Sequence, residues 1–167
     1  MHDWIAILDF GSQYTQVIAR RIRAERVYCE ILRYDTPAKT LAERRPRGII
    51  LSGGPASVLA TNAPGCDPAL WDLEVPILGI CYGMQLMGRD LGGRVEPGRA
   101  REYGPAQLQV LEPNALFRGL PDTLEVWMSH GDQVAVLPPG FRVLAATSDC
   151  PHAAMADESR RRYGLQF

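Results

Sequence analysis

The chain has 167 residues and a mass of 18.5 kDa, enough for one sizeable hydrophobic core and too little for two domains. A net charge of -1 gives no general attraction to nucleic acid or to an anionic membrane. The four cysteines form no C-x-x-C pair, and no apolar stretch approaches the length that spans a membrane. These features predict one globular domain in a reducing cytoplasm, without a metal site.

An apolar run over residues 4–10 predicts a buried first strand, and the helix after it has apolar residues on one face, at Val17, Ile18 and Ile22. The turn between them, Gly11–Thr15, has two interpretations. It is a phosphate-cradling turn, as in flavin-binding relatives of the doubly wound fold, or a plain tight turn with Ser12 as the helix N-cap. We favour the tight turn.

Residues 27–34 predict a second strand, followed by a short helix that Asp35 caps and in which Pro37 takes the first position. A third strand is expected over residues 47–51. This alternation of strands and helices favours an α/β fold with a doubly wound, mostly parallel central sheet, whose site lies at the carboxyl ends of the strands. The Ser-Gly-Gly-Pro at 52–55 therefore predicts bare backbone at that edge.

Residues 57–74 predict a long surface connection, and the apolar run that follows it predicts a buried strand ending at Cys81. Gly79 and Gly83 flank this cysteine, and the chain then turns into a helix. Glycines on both sides of a residue at a strand-to-helix turn are typical of a nucleophile elbow. The alternative is a small buried core cysteine, which the flanking glycines disfavour.

The elbow predicts a reactive thiol. A thiol at a helix N-terminus is expected to have a lowered pKa, because the unpaired backbone N–H groups there stabilise its anion. A thiolate that attacks an amide creates an oxyanion, which two backbone N–H donors can stabilise. Gly54 and Tyr82 are positioned in the sequence to supply one donor each.

Beyond residue 91 the pattern changes to short alternating segments, which favour antiparallel strands appended to the parallel half. These segments lie at 92–95, 106–111, 124–128, 133–136 and 142–146. Between two of them, Ser129–Asp132 is either a wall of a substrate pocket or a polar turn with Gly131 at its bend. The residues alone leave both interpretations open.

Four motifs, taken in order, resemble those of the class I glutamine amidotransferase family. They are LDFGSQYTQ at 8–16, LSGGP at 51–55, GICYGMQ at 79–85 and WMSHGD at 127–132. The second and third mark the superfamily, and the first and last look like the branch that supplies ammonia for the amination of xanthosine monophosphate. The resemblance covers the whole chain and implies a flavodoxin-like sheet with an appended antiparallel region.

The resemblance implies that Cys81 is the nucleophile that takes the side-chain carbonyl of glutamine, with Gly54 and Tyr82 as its oxyanion hole. The substrate-binding residues that it implies are Gln85, Ser129, His130, Gly131 and Asp132. The released ammonia is expected to pass to a synthetase (ATP pyrophosphatase) domain or subunit. That partner is expected to use ATP and Mg, so the resemblance implies no cofactor in this chain.

In the family, the catalytic base and its orienting partner lie in a His-Pro-Glu segment directly after a strand that ends in Gly-Val-Gln-Phe. The matching residues 164–167 are the last four of the sequence. His2, His130 and His152 are poor substitutes. We therefore expect residues 1–167 to be a type 1 amidotransferase domain that stops before the base and lacks the synthetase domain. Loss of a triad member typically costs roughly 10⁴ or more in rate.

Two alternatives stay open. The first is a noncatalytic module on the same fold, either regulatory or flavin-binding, which a yellow colour or an unreactive Cys81 would favour. The second is the amidotransferase of another synthase, such as the anthranilate, aminodeoxychorismate or CTP synthase. The motifs at 8–16 and 127–132 disfavour it.

Overall fold

The structure is a computed structural model that describes residues 3–112 and 114–167, without the side chains of residues 99–102. Its strands are β1 Trp4–Asp9, β2 Tyr28–Arg33, β3 Gly48–Leu51, β4 Ile77–Ile80, β5 Arg94–Val110, β6 Thr123–Val136, β7 Arg142–Ala146, β8 Ala154–Asp157 and β9 Arg162–Leu165. Its α-helices are α1 Thr15–Ala24, α2 Ala38–Arg44 and α3 Tyr82–Asp90, and a 3₁₀ helix spans Pro68–Asp72. No helix within the described ranges is long and apolar enough to cross a membrane.

All nine strands form one sheet in the order β2-β1-β3-β4-β9-β8-β7-β5-β6. The first five are parallel neighbours, and their order is the flavodoxin-like one, in which the strand order reverses at the first strand. The remaining pairs are antiparallel. The predicted α/β fold, with a mostly parallel half and an appended antiparallel region, is confirmed. Strand β9 joins the two halves.

Helices cover both faces of the parallel half, because successive strand residues point to opposite faces. Ile7 of β1 packs in the layer beneath α1, together with Ala19 and Cys29. Its neighbour Leu8 packs in the opposite layer, which contains the buried Met84, Leu86 and Met87 of α3. The sheet is therefore doubly wound, and α3 lies on the face opposite α1.

The antiparallel half has a second core of its own. Its fully buried members include Leu108, Met128, Leu144 and Cys150. On β6 the residues that alternate with Met128, among them Trp127, are exposed. One face of this half is thus packed and the other faces solvent, as is usual for antiparallel sheets.

Two predicted helix starts are wrong in detail. The backbone N–H of Ala38 donates to Asp67 Oδ2 at 2.9 Å, so a distant carboxylate, and not Asp35, caps α2. Pro37 is the residue before the helix, outside its first turn. Helix α1 begins at Thr15 and has no side-chain cap, while Ser12 Oγ accepts from the N–H of Tyr14 within the preceding turn.

The predicted short strands after residue 91 are longer than their sequence pattern. Of the predicted segments 92–95 and 106–111, residues 94–95 and 106–110 belong to one strand, β5. Ser129–Asp132 lies inside β6 and is no turn. The pairing shifts opposite Gly131, because four β5 residues, 98–101, separate the pairs Pro97–Asp132 and Glu102–His130. This bulge interrupts the alternation that the sequence pattern relied on.

Arg162, at the start of β9, is a buried cation held entirely by backbone. Its guanidinium donates to the carbonyls of Trp71, Leu73, Val75 and Arg160, at 2.7–2.9 Å. It thereby fixes the loop that leads into β4 against the fifth parallel strand. We call these four hydrogen bonds the Arg162 clamp. The clamp connects β9 to the segment before β4, and these two paired strands carry the candidate site.

Candidate active site

Cys81 occupies the sharp bend between β4 and α3. Its backbone angles are φ 50° and ψ −106°, a region that residues with a Cβ rarely adopt. Strain of this kind costs of order 1–3 kcal/mol and persists only where the surrounding structure enforces it. The bend presents Cys81 at the carboxyl edge of the sheet and has the strained strand-to-helix geometry that was predicted from the flanking glycines.

The two flanking glycines allow the bend because backbone packs directly on them. A Cβ on Gly79 would lie 2.5 Å from the carbonyl oxygen of Gly83, and one on Gly83 would overlap the carbonyl oxygen of Leu51. Gly164 of β9 is equally close to α3, with Met84 Cγ at 2.7 Å from such a Cβ. Strands β3, β4 and β9 can therefore approach the first turn of α3 only with glycine at these positions.

The loop after β3 runs beside the elbow. A Cβ on Gly53 would lie 3.5 Å from Cys81 Cβ, and one on Gly54 would overlap the carbonyl oxygen of Phe10. Ser52, which is fully buried, accepts from the N–H of Phe10 at 2.9 Å and donates to Gly53 at 2.7 Å. This hydroxyl fixes the loop against β1. We did not single out Ser52 from the sequence, although it stands in the LSGGP motif.

Both residues predicted to form the oxyanion hole, Gly54 and Tyr82, line the cavity at Cys81. The N–H of Tyr82 lies within hydrogen-bonding reach of the Cys81 sulfur, and no described residue accepts a hydrogen bond from Gly54 N–H. Gly54 and Cys81 line the same cavity. Tyr82 N–H is thus beside the sulfur, and Gly54 lies in the same cavity with no described acceptor for its N–H. Stabilisation of an oxyanion needs donors of this kind.

A cavity of about 570 Å³ brings together every residue that the sequence assigned to the site. Its lining includes Gly54, Cys81, Tyr82, Gln85, Ser129, His130, Gly131 and Asp132. The β5 bulge opens it, since Pro97 and Gly98 line the same space. Its volume lies within the range of small-molecule pockets.

Asp132 is the junction of the polar network in this cavity. Its carboxylate accepts from Ser57 Oγ at 2.5 Å, which ties the loop after β3 to β6. Its backbone carbonyl accepts from Gln85 Nε2 at 2.8 Å and lies 2.9 Å from His130 Nδ1. Because a carbonyl only accepts, His130 carries its proton on Nδ1 in this arrangement.

A second cavity of about 800 Å³ lies on the other side of Cys81. It is mostly apolar, and Cys81, Gly54 and Ser129 line both spaces. Trp127 and Phe167 line only the second one. Cys81 therefore lines both a polar cavity and an apolar one.

The electrostatics of Cys81 differ from the prediction. It is partly exposed, whereas Cys29, Cys66 and Cys150 are buried. Burial nevertheless raises the pKa of the Cys81 thiol, and hydrogen bonds from Tyr82 N–H and Gln166 only partly offset this. The predicted net lowering of the pKa is wrong, because the cost of desolvating the anion outweighs the helix N-terminus.

The turn at Gly11–Thr15 holds a carboxylate of the chain. Asp9 Oδ1 accepts from Gly11 N–H at 2.9 Å and from Thr15 Oγ1 at 2.8 Å. An anionic phosphate at this turn would meet that carboxylate, and like charges repel. The geometry therefore disfavours the phosphate-cradling interpretation of the turn.

Neither described histidine is hydrogen-bonded to Cys81. His130 Nδ1 is engaged with Asp132, and His152 Nδ1 lies 2.8 Å from the carbonyl of Val134. His2 lies outside the described residues. Within residues 3–112 and 114–167, no group of three or more His, Cys, Asp and Glu side chains is arranged to hold a metal ion.

The fold places the chain among α/β proteins with a doubly wound sheet, whose sites lie at the carboxyl edge of the strands, where Cys81 stands. The family model for glutamine amidotransferase class I matches residues 6–167, and the chain belongs to that family.

Relatives named "GMP synthase [glutamine-hydrolyzing]" match almost the whole chain. The protein from Syntrophomonas wolfei is 53% identical over 98% of this chain, and that from Thermosynechococcus vestitus is 56% identical over 98%. The chain spans 32% and 30% of the length of these two curated relatives.

Solved structures share the fold. A Thermoplasma acidophilum protein, described as a GMP synthase subunit, superposes with a TM-score of 0.87 at 28% identity over 100% of this chain and 84% of its own. A glutamine amidotransferase from Thermotoga maritima superposes with a TM-score of 0.77 at 22% identity, over 100% of this chain and 76% of its own. The second likeness concerns the fold alone.

Proposed function

We propose that Cys81 hydrolyses glutamine and that the ammonia aminates xanthosine monophosphate to guanosine monophosphate. The observation that carries the proposal is the strained bend at Cys81, which holds the sulfur beside the N–H of Tyr82 and in the same cavity as Gly54. A sulfur anion with two adjacent donors is suited to attack an amide carbonyl and to stabilise the oxyanion that results.

In the first step the sulfur bonds to the side-chain carbon of glutamine and the carbon–nitrogen bond breaks. The proton of the thiol leaves with the nitrogen, so that ammonia and a thioester form. Water then cleaves the thioester to glutamate and restores the thiol. Both steps pass through an oxyanion, and the donors of Gly54 and Tyr82 serve both.

The polar cavity supports glutamine as the substrate. In this proposal Gln85, Ser129, His130, Gly131 and Asp132 contact the substrate's backbone charges and its amide. His130 and Asp132 are themselves fixed by hydrogen bonds, which limits the conformational entropy lost on binding. The network around Asp132 thus preorganises one wall of the site.

The ammonia acceptor is proposed from the relatives, since their names specify GMP synthase. A synthetase domain or subunit would activate xanthosine monophosphate with ATP and Mg. The base that the family carries in a His-Pro-Glu segment is proposed to be supplied beyond Phe167, because neither described histidine is hydrogen-bonded to the sulfur.

A chloroketone analogue of glutamine tests the nucleophile. We expect one adduct, on Cys81 alone among the four cysteines, by peptide mass spectrometry. Glutamine should protect against the adduct and asparagine, one methylene shorter, should not. Cys81→Ser should abolish it, with Cys150→Ser as the matched control that keeps it. Modification of a buried cysteine in place of Cys81 would refute the proposal.

The acceptor has a separate test. The chain is mixed with the synthetase portion of a GMP synthase, ATP, Mg, xanthosine monophosphate and glutamine, and guanosine monophosphate is measured. Ammonium chloride in place of glutamine is the positive control for the synthetase. A longer form that continues through a His-Pro-Glu segment should be faster than residues 1–167 by roughly 10⁴ or more. Equal glutaminase rates would show that this segment holds no base.

A further inference from the structure

Gln166, which carried no role in the sequence analysis, touches the sulfur of Cys81. It is fully buried, and its Nε2 lies 3.5 Å from Cys81 Sγ. Its own N–H donates to the carbonyl of Ala153 at 2.9 Å, which fixes the backbone at this position. The side chain therefore approaches the reacting atom from a rigid support at the end of β9.

A chain of hydrogen bonds fixes which end of the Gln166 amide faces the sulfur. The backbone carbonyl of Asp132 only accepts, so the Gln85 atom beside it, at 2.8 Å, must be the NH₂ nitrogen. The second proton of that nitrogen points to Gln166, 3.3 Å away, and requires an oxygen there. The Gln166 oxygen is thus held by Gln85, and its NH₂ group is left for Cys81.

The opposite orientation of Gln166 is disfavoured on the same grounds. It would place its NH₂ group against the NH₂ group of Gln85 and its oxygen against the sulfur. Two donors would then face each other, and an oxygen would face a sulfur anion. The carbonyl of Asp132 therefore determines, through two amides, that the sulfur of Cys81 receives an N–H.

We propose that Gln166 is a catalytic residue that donates a hydrogen bond to the Cys81 sulfur while it is an anion, and that Gln85 is a positioning residue that fixes the direction of the donor. The proposal rests on the proposed function, in which this sulfur is the nucleophile. It gives Gln85 a second task beside contact with the substrate. The donor is in place before glutamine binds, so no reorganisation is needed when the thiolate forms.

The expected effect follows from two opposing consequences of the hydrogen bond. It increases the fraction of thiolate, and it lowers the intrinsic nucleophilicity of each thiolate, with a Brønsted slope of about 0.4–0.5. Loss of a hydrogen bond to a charged group should move the midpoint of reaction upward by about one pH unit. The rate at pH 7 should then fall only about threefold, while the limiting rate at high pH rises about threefold.

The test is alkylation of Cys81 by iodoacetamide between pH 6 and 10.5, followed by mass spectrometry of the Cys81 peptide. Gln166→Met keeps the side-chain length and removes the donor. Gln107→Met, on the exposed face of β5, is the matched control and should leave the profile unchanged. Circular dichroism checks that each variant is folded over the pH range. The neighbouring titratable side chains that line the two cavities, within the described residues, are Tyr14, Tyr82, Tyr103, His130 and Asp132.

A higher midpoint with a lower rate at pH 7 and a higher limiting rate supports the proposal. A rate that falls by the same factor at every pH overturns it, because a disturbed site without a lost donor slows the reaction uniformly. An unchanged profile overturns it as well.

A double-mutant cycle tests the positioning role of Gln85. Gln85→Met should raise the midpoint by less than Gln166→Met does, because the released amide still donates for part of the time. In Gln85→Met/Gln166→Met the midpoint should equal that of Gln166→Met alone, since Gln85 acts only through Gln166. Additive effects would overturn this role. The chloroketone adduct reports on the proposed function separately, so a labelled Cys81 with unmoved midpoints would refute this inference alone.

Discussion

Replacement of Gly83 by alanine tests whether close backbone packing makes the elbow. Alanine in place of a helical glycine normally stabilises by about 1 kcal/mol. Here the new Cβ would overlap the carbonyl oxygen of Leu51 and lie 2.7 Å from its Cβ and 2.9 Å from its carbonyl carbon. Overpacking of this kind costs typically about 1–3 kcal/mol. These neighbours belong to β3, a central strand that cannot rotate away, so we expect the upper end of that range.

The two contributions give a net loss of about 2 kcal/mol in the free energy of unfolding. Gly88→Ala is the matched control, because it makes the same change in the same helix. Its Cβ would meet Val134 Cγ2 at 2.9 Å, the tip of a side chain that can rotate. We expect Gly88→Ala to stay within about 1 kcal/mol of the unmodified chain.

Gly83→Ala should also lower the reactivity of Cys81. Relief of the overlap requires the first turn of α3 to move away from β3, and Cys81 and Tyr82 move with it. A misplacement of about 1 Å costs about 10²-fold in rate. Urea denaturation followed by circular dichroism gives the stability, and the chloroketone adduct at Cys81 gives the reactivity. If Gly83→Ala matched Gly88→Ala in both measurements, the argument from backbone contact would be refuted.

Two further predictions concern the fold that supports the site. Arg162→Met should lower the free energy of unfolding, measured in urea, by about 3–5 kcal/mol, since four part-buried backbone carbonyls lose their donor. Arg161→Met, which removes one exposed hydrogen bond, should lower it by less than about 1 kcal/mol. Comparable losses would refute the clamp. Burial opposes ionisation of Asp157, but hydrogen bonds from Ser159 and Arg160 outweigh it and hold its pKa below the usual value. The ionised Asp157 therefore contributes to the free energy of unfolding above about pH 4, the usual pKa of an aspartate in an unfolded chain. This contribution is lost as the pH falls through the lower pKa that Asp157 has in the folded protein. Asp157→Asn should thus have a lower free energy of unfolding than the unmodified chain at pH 7, and the same free energy of unfolding near pH 2.

The parallel half could be predicted from the sequence because its signals are local. Short apolar runs mark β1, β3 and β4, and glycines mark the turns at their carboxyl ends. The helix caps were harder to predict from the sequence. The carboxylate that caps α2 belongs to Asp67, which lies 29 residues after Ala38, whose N–H donates to it. The sequence around Ala38 does not indicate that its N–H is capped by a residue so far along the chain.

The antiparallel half was predicted in kind and missed in detail. The bulge opposite Gly131 disturbs the alternation, so the sequence pattern predicts four short strands where the structure has two long ones. Strand β8 was not anticipated, because Ala154–Asp157 is buried throughout and shows no alternation of apolar and polar residues. Strand β9 pairs with β4, whose sequence lies 85 residues earlier, as in the register of Ile77 with Arg162.

In the candidate site, too, residues with a local sequence signal were predicted, whereas residues that only the fold brings together were not. Cys81, Gly54 and Tyr82 follow from turn chemistry, and the cavity gathers all the residues that the resemblance implied. Ser52 and Gln166 were not singled out, since a buried serine and a glutamine near the end of a strand have no distinctive spacing. Only the pairing of β4 with β9 brings Gln166 beside the sulfur.

The raised pKa of Cys81 does not argue against a nucleophilic role. Burial disfavours the thiolate, yet the same low dielectric strengthens each N–H that faces the sulfur and each that faces an oxyanion. The reaction moves negative charge from sulfur to the substrate oxygen, so donors fixed beside both atoms stabilise the beginning and the middle of the step. Gln166 and Tyr82 N–H face the sulfur. In the proposed reaction Tyr82 N–H is shared with the oxyanion, together with Gly54 N–H, from which no described residue accepts a hydrogen bond. Burial that disfavours the thiolate also limits the reaction of Cys81 with other electrophiles, because the thiolate is the reactive form.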